Sequence, residues 1–479
     1  MAFSLPGLGL SAVNVPSLAT LSGSSVPYEP TTRTESLGER SEWRFEIPHG
    51  KRYDVKLING TAEIGGTELL ADYVYTFSGY KGAIFTWYGC SLEIAGEAES
   101  EYAAQETEYA VEWLNVHGLL ETQRDEAQAG MHQGEGPRVL VVGPDHVGKT
   151  TLIKTLAAWG VKVGRAPTIL NLDPREGLLV PPGSLTAVTV AGQTEVESGY
   201  GVTPVSAPTT VPIKTPLVYH WPYSQPGERP EPFKSLLTNI ALHVTGKLEA
   251  HQAAKTSGLI IDTPGSLNDP KSNYDILNHI ISEFSITLIL TIGSERLYND
   301  LNRRFNQQRG DDHAIPVLRL TKPGGAIERD AAFMRQLRAE QCKQYFYGPP
   351  NTPLNPHSHP IDHREMDVFR AKGTFPSSSE DDDIDFQPGQ DEESEDRPVL
   401  FEKISPSAAL LSSYLVVKYC SGDASESEIR DSAVMGWLHV DSVDEAKGKM
   451  RVLAPHSQKW GDRAVVWAGF PEAVDQVAH

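Results

Sequence analysis
One short stretch, VVGPDHVGKTTLIKTL at residues 141–156, constrains what this chain can fold into more than any other. Gly143-Pro144-Asp145-His146-Val147-Gly148-Lys149-Thr150 matches G-x-x-x-x-G-K-[ST] in full, between an apolar run and an amphipathic one. A loop of this kind works only between a strand and a helix. Its glycines let successive backbone N–H groups converge on phosphate oxygens, and the helix beginning near Lys149 points its positive end at them. Lys149 then reaches the β- and γ-phosphates, and the Thr150 hydroxyl faces Mg²⁺. The nucleotide-binding residues read from the loop are Gly143, Asp145, His146, Val147, Gly148, Lys149, Thr150 and Thr151. His146 is taken as an exposed loop residue without a catalytic role.

The surrounding sequence agrees with such a setting. RVLVVG, PTILNLD, GLIIDTPG, ITLILTIG and IPVLRL are short β-branched runs, and KTTLIKTLAAWG, FKSLLTNIALHVTGKL, YDILNHIISEF and SERLYNDLNRRF are helical stretches lying among them. Alternating strands and helices predict an α/β domain with a parallel sheet covered on both faces. Two aspartates end such strands and are candidates to stand near a metal, Asp173 and Asp262. DTPG, which contains Asp262, has the look of a GTPase switch, but no NKxD follows a later strand to read guanine.

Outside the central part the pattern changes. Residues 1–30 are nearly uncharged and rich in Ser, Pro and Gly, which predicts a disordered arm. Residues 31–120 carry alternating runs such as EWRFEI and YDVKLI between turn residues, which predicts a small all-β sandwich or barrel. Residues 121–136 read as a linker, 137–370 as the phosphate-loop domain, 371–398 as an acidic disordered linker and 399–479 as a C-terminal β-rich domain. Within the acidic stretch, residues 376–398 hold ten acidic side chains and no basic one before Arg397. Self-repulsion keeps such a run solvated. Ser379 and Ser394 lie just upstream of acids, as acid-directed kinases prefer.

A net charge of −21 excludes non-specific coating of nucleic acid, which needs a dense basic surface. Cys90, Cys342 and Cys420 are far apart and support neither a disulfide framework nor a zinc site. No apolar run is long enough to cross a bilayer and no secretory signal opens the chain, so a soluble intracellular protein with no membrane contact is expected.

Taken in order, SEWRFE, GPDHVGKTT, NLDPREGLLVPPGSLTA, DTPGS, GSERLYNDL and KPGGAIERDAAFMRQLRAEQCKQYFYG resemble one family. It is the nuclear P-loop subunit of the pre-mRNA cleavage and polyadenylation factor, whose relatives include polynucleotide 5′-hydroxyl kinases. The resemblance implies ATP with Mg²⁺ as the bound nucleotide, a nuclear location, and other 3′-end processing subunits as partners. Foremost among those is the scaffold that reads the RNA polymerase II tail. It further implies that Glu42 and Lys81 reach from the β domain to adenine, and that Asp173 stands with Thr150 at the metal.

Departures from the active kinases separate an enzyme from a clamp. The kinases carry DxxQ, a base-stacking tryptophan and two lid arginines spaced by five. DPRE keeps Asp173 but puts Glu176 at the glutamine position, DTPGS puts Ser266 at the tryptophan position, and IERDAAFM keeps Arg329 but puts Met334 at the second arginine. Asp173 and Arg329 are the catalytic candidates that remain, with Arg335 one step away from the missing arginine. A lid arginine contributes roughly 10³ to 10⁵ in rate to phosphoryl transfer, so its loss cripples transfer more than binding. The sequence therefore reads as a non-catalytic ATP-holding assembly subunit of mRNA 3′-end processing. An active RNA 5′-hydroxyl kinase is the alternative.

Overall fold
In the strand Ser41–Ile47, every second side chain enters a closed apolar cluster: Trp43, Phe45 and Ile47 meet Tyr53, Phe77, Ile84, Leu92 and Ile94. The residues between them, Glu42 and Arg44, are buried as well. A polar strand face leaves water only when another layer covers it, and that layer is the central domain. Two antiparallel sheets enclose the cluster. One is ordered Thr32–Leu37, Cys90–Ala95, Tyr53–Gly60, Val74–Phe77; the other Thr67–Glu68, Glu63–Ile64, Tyr80–Thr86, Ser41–Ile47, Ser100–Ala104.

The computed structural model describes residues 32–193, 195–197, 216–306, 314–348, 353–374, 400–457 and 460–472. The arm 1–30 and the acidic run 376–398 with Ser379 and Ser394 lie outside the described residues.

The central sheet runs in the order Leu217–His220, Ser184–Thr189, Thr168–Asn171, Leu259–Asp262, Arg138–Val142, Leu288–Ile292, Val317–Leu320. The last five strands are parallel, as expected, but Ser184–Thr189 pairs antiparallel with both of its neighbours, so the sheet is mixed rather than purely parallel. Arg138–Val142 lies between two parallel neighbours and is buried on both faces. Val139 and Val141 pack with Leu152 and Leu156 of the helix Lys149–Lys162, while Leu140 and Val142 pack with Leu236 and Ile240 of the helix Pro230–Ala250.

Residues 121–136 differ from their expected role as a linker. Through Gln128 they continue a 21-residue helix, Glu108–Gln128, that packs on the central domain through Trp113, Val116 and Leu120. Its buried positions recur every third or fourth residue as far as Ala127, beneath a polar composition.

The boundary of the third domain also moves. His357–Asp362 and Asp367–Ala371, both placed by sequence in the central domain, are strands of the C-terminal sheet, ordered His357–Asp362, Lys449–Ala454, Val434–Asp444, Tyr414–Ser421, Arg463–Trp467, Asp367–Ala371, Phe401–Ile404. Long-range pairing rather than local pattern makes strands of them. The chain leaves this sheet at Lys372 and returns at Leu400, where the Lys372 N–H donates to the Leu400 carbonyl at 2.9 Å. One face of the sheet merges with the central core through Tyr414, Val416, Trp437 and Val466. The helix Ala331–Tyr347 runs past all three domains. Phe333 packs on His49, Gln341 donates to the Gly177 carbonyl at 3.2 Å, and the Tyr345 hydroxyl accepts from the Trp437 N–H at 3.3 Å.

Candidate functional site
The loop from Gly143 to Thr150 takes its shape from close backbone approach. A Cβ on Gly143 would stand 2.3 Å from the Ile292 carbonyl, and Gly148 adopts a φ of 92° at the helix start. Val147 anchors the loop from below, packed in the apolar cluster beside Gly293. Gly148, Lys149, Thr150 and Thr151 line a cavity of about 800 Å³ with Asp145 and His146, whereas Gly143 and Val147 shape the loop without lining it. His146 corrects the expectation of an exposed residue: its φ of 59° turns the ring toward the cavity, where it is half-buried, and burial lowers its pKa. The Lys149 ammonium donates to the Pro144 carbonyl at 2.7 Å, folded over the space the loop encloses.

Around Thr150 the two candidate aspartates have different partners. The Thr150 hydroxyl donates to Asp262 Oδ2 at 2.5 Å, while Asp262 Oδ1 is buried without a hydrogen-bond partner. Burial pushes the Asp262 carboxyl up to about 7. An ionisable oxygen left bare beside a hydroxyl is the donor set a divalent cation fits, completed by phosphate and water oxygens. Asp173, expected at the metal, is engaged elsewhere. Arg175 donates to Asp173 Oδ1 at 3.1 Å and Oδ2 at 2.9 Å, and reaches Asp145 at 2.8 and 3.0 Å. Burial would raise the Asp145 carboxyl, but the Arg175 guanidinium holds it down at about 2. Topology explains the difference. Asp262 ends the strand paired directly with Arg138–Val142, in the register Val141 to Asp262, and the strand leading to Asp173 is one position further out.

Arg329 and Glu176 line the same cavity and face each other at 3.9 Å. Met334 lines it too, whereas Arg335 is exposed and does not. Ser266 is not among the lining residues.

The cavity continues from the loop to the amino-terminal domain, where Glu42 and Phe85 line it with Tyr109 and Trp113 of the helix Glu108–Gln128. Glu42 accepts from Arg44 Nε at 2.5 Å and from the Tyr109 hydroxyl at 2.6 Å. Lys81 also lines the cavity, but its ammonium sits 2.9 Å from Glu46 and 5.0 Å from the centre of the Phe333 ring. The structure thus gathers Glu42, Lys81 and the loop residues around one space. Arg175, Tyr109 and Asp262 complete it. Of these only Asp262 carried a signal in sequence, at a strand end, since Arg175 stands at an unspecified position of DPRE and Tyr109 sits in no motif.

Three family descriptions match this chain. They are the P-loop of mRNA cleavage and polyadenylation factor CLP1 over residues 143–348, the N-terminal beta-sandwich domain of polyadenylation factor over 36–127, and pre-mRNA cleavage complex II protein Clp1 over 354–472. An mRNA cleavage and polyadenylation factor clp1 from Botryotinia fuckeliana is 40% identical over 472 residues, covering 98% of each chain. Its counterpart in Phaeosphaeria nodorum is 38% identical over 476 residues, again covering 98% of each. Among solved structures, the wild-type Clp1p–Pcf11p complex aligns with a TM-score of 0.79 at 23% identity, covering 92% of this chain and 98% of that one.

Proposed function
The chain belongs to the CLP1 family of mRNA cleavage and polyadenylation factors, and from that premise we propose that it serves pre-mRNA 3′-end processing as an ATP-holding assembly subunit. The carrying observation is the cavity itself. A complete phosphate loop and a buried carboxylate from a different domain line the same space, which supports one ligand carrying both a triphosphate and a base. Lys149 and the loop N–H groups would hold the phosphates. Thr150 and Asp262 would hold Mg²⁺, which supplies charge neutralisation at the phosphate oxygens. Glu42, with Lys81 at the same end, would face the adenine. The protein would act in the nucleus, and the partner class is a scaffold of the kind named with the solved neighbour, Pcf11p.

Two pairings support holding rather than turnover. Both oxygens of Asp173 accept from Arg175, and Arg329 faces Glu176. The group that would accept a proton and the one that would steady a transferring phosphoryl group are thus each engaged with a neighbouring side chain. Purified protein is expected to carry ATP without added nucleotide and to transfer no labelled phosphate to 5′-hydroxyl RNA. Extraction of mainly ADP, or transfer at a rate comparable to an active kinase, would make it an enzyme.

A further inference from the structure
Arg44 is buried behind the base end of the cavity and does not line it. Its Nε donates to Glu42 at 2.5 Å, Nη1 reaches the Tyr102 hydroxyl at 3.4 Å and Nη2 the Glu106 carbonyl at 3.3 Å. The other side of the guanidinium rests on the backbone of Gly324 and Gly325, in the central domain. A Cβ on Gly324 would meet Arg44 Nη2 at 2.7 Å, and one on Gly325 would meet Nε at 3.2 Å. Only a residue without a side chain leaves room for that seat. The same loop lies against the phosphate loop, for a Cβ on Gly148 would meet Pro323 at 3.5 Å and Ala326 at 3.7 Å. Its start is fixed independently by Glu112, which accepts from the N–H and the hydroxyl of Thr321, each at 2.7 Å.

We propose that Arg44 is the positioning residue for base selection: seated on Gly324–Gly325, it holds the Glu42 carboxylate as a hydrogen-bond acceptor toward the purine C6 substituent, so that a 6-amino group is taken and a 6-carbonyl is refused. The inference rests on the reading of the cavity as a nucleotide site. A carboxylate offers lone pairs only, so it accepts from an amino group and repels a carbonyl oxygen. Discrimination of this kind is lost when the acceptor can turn away; the Tyr109 hydroxyl holds Oε2 at 2.6 Å, and Arg44, bracketed by Tyr102, Glu106 and the diglycine, holds Oε1 from the other side.

The test compares Kd values of ATP, GTP and inorganic tripolyphosphate for the full-length nucleotide-free protein and its variants Arg44→Met, Arg44→Lys, Gly324→Ala and Glu42→Gln. Gly324 has no left-handed φ, so alanine there perturbs the seat and not the backbone. Arg44→Met and Gly324→Ala are expected to lower the ATP-over-GTP preference roughly tenfold while leaving tripolyphosphate binding unchanged, with Arg44→Lys between them and the wild type. Should Arg44→Met fail to fold, Gly324→Ala decides. A preference that collapses in Glu42→Gln but survives in Arg44→Met and Gly324→Ala overturns the role of Arg44 and leaves the nucleotide site intact. A preference indifferent to Glu42→Gln overturns the base-reading premise as well. Parallel loss of ATP, GTP and tripolyphosphate affinity would make Arg44 a structural residue only.

Discussion

Thr150 and Asp262 come from segments 112 residues apart, and their 2.5 Å contact is the detail that sequence leaves open. The phosphate loop is legible because all its chemistry lies in eight consecutive residues. The acid that meets Thr150 is not, because whether Asp173 or Asp262 does so depends on which strand lies next to Arg138–Val142, a property of the sheet. Glu42 is an intermediate case. The alternation in SEWRFEI puts Glu42 and Arg44 on one face, but only the packed central domain shows that the face is buried. Asp262→Asn is expected to reduce ATP affinity about tenfold in Mg²⁺ and hardly at all in EDTA, as loss of a metal-orienting group does. Asp173→Asn should leave the Mg²⁺ dependence as it was. Titration of both variants with and without the ion checks this, and the reverse ranking would return the metal to Asp173.

At the scale of elements, the strands of the central sheet that alternate with helices were readable, and the two antiparallel strands Ser184–Thr189 and Leu217–His220 were not. SLTAVT and LVYH are four to six residues long and largely buried, which leaves no alternation to mark them. The helix Glu108–Gln128 was masked differently: Trp113, Val116 and Leu120 face inward, but Val111, Leu114 and Leu119 are exposed, so apolar residues surround its first half and hide the period. The strand Tyr414–Ser421 carries the element's own pH dependence. Lys418 is fully buried opposite His220, with its ammonium donating to the Ser432 carbonyl at 2.9 Å, and burial pushes it down to about 7. The unfolded chain keeps that proton up to the ordinary 10.5, so between about 7 and 10.5 the unfolded state binds more protons and stability rises with pH. Below about 7 the cost of the buried charge is present in full. The slope is at most about 1.4 kcal/mol per pH unit. Urea unfolding at pH 7 and pH 9 should show Lys418→Met more stable than wild type at the lower pH, with the gap narrowing at the higher. An equal gap at both would mean that Lys418 is charged throughout.

For the whole molecule, the helix Ala331–Tyr347 touches each domain, and the ligand cavity lies where the first two meet. A ligand bound only by the folded state adds RT ln(1 + [L]/Kd), about 2.7 kcal/mol at a hundredfold excess over Kd. Lys149→Ala with Thr150→Ala removes that contribution without altering either outer domain. Spread over the roughly 400 described residues, the loss corresponds to a melting temperature lower by about 3 °C. Capture of the scaffold should weaken together with it, and a double mutant that melts and binds like the wild type would mean that nucleotide supports neither. The C-terminal sheet adds a different consequence. Ala371 pairs with Phe401, and the Lys372 N–H meets the Leu400 carbonyl, so the chain exits and re-enters that sheet at adjoining points. Loop-closure entropy grows only logarithmically, at about 0.6 kcal/mol for each doubling of length. A fluorescent domain whose own termini are neighbours can therefore be grafted between those two residues, giving a tagged assembly factor whose nucleotide pocket and both chain ends remain untouched.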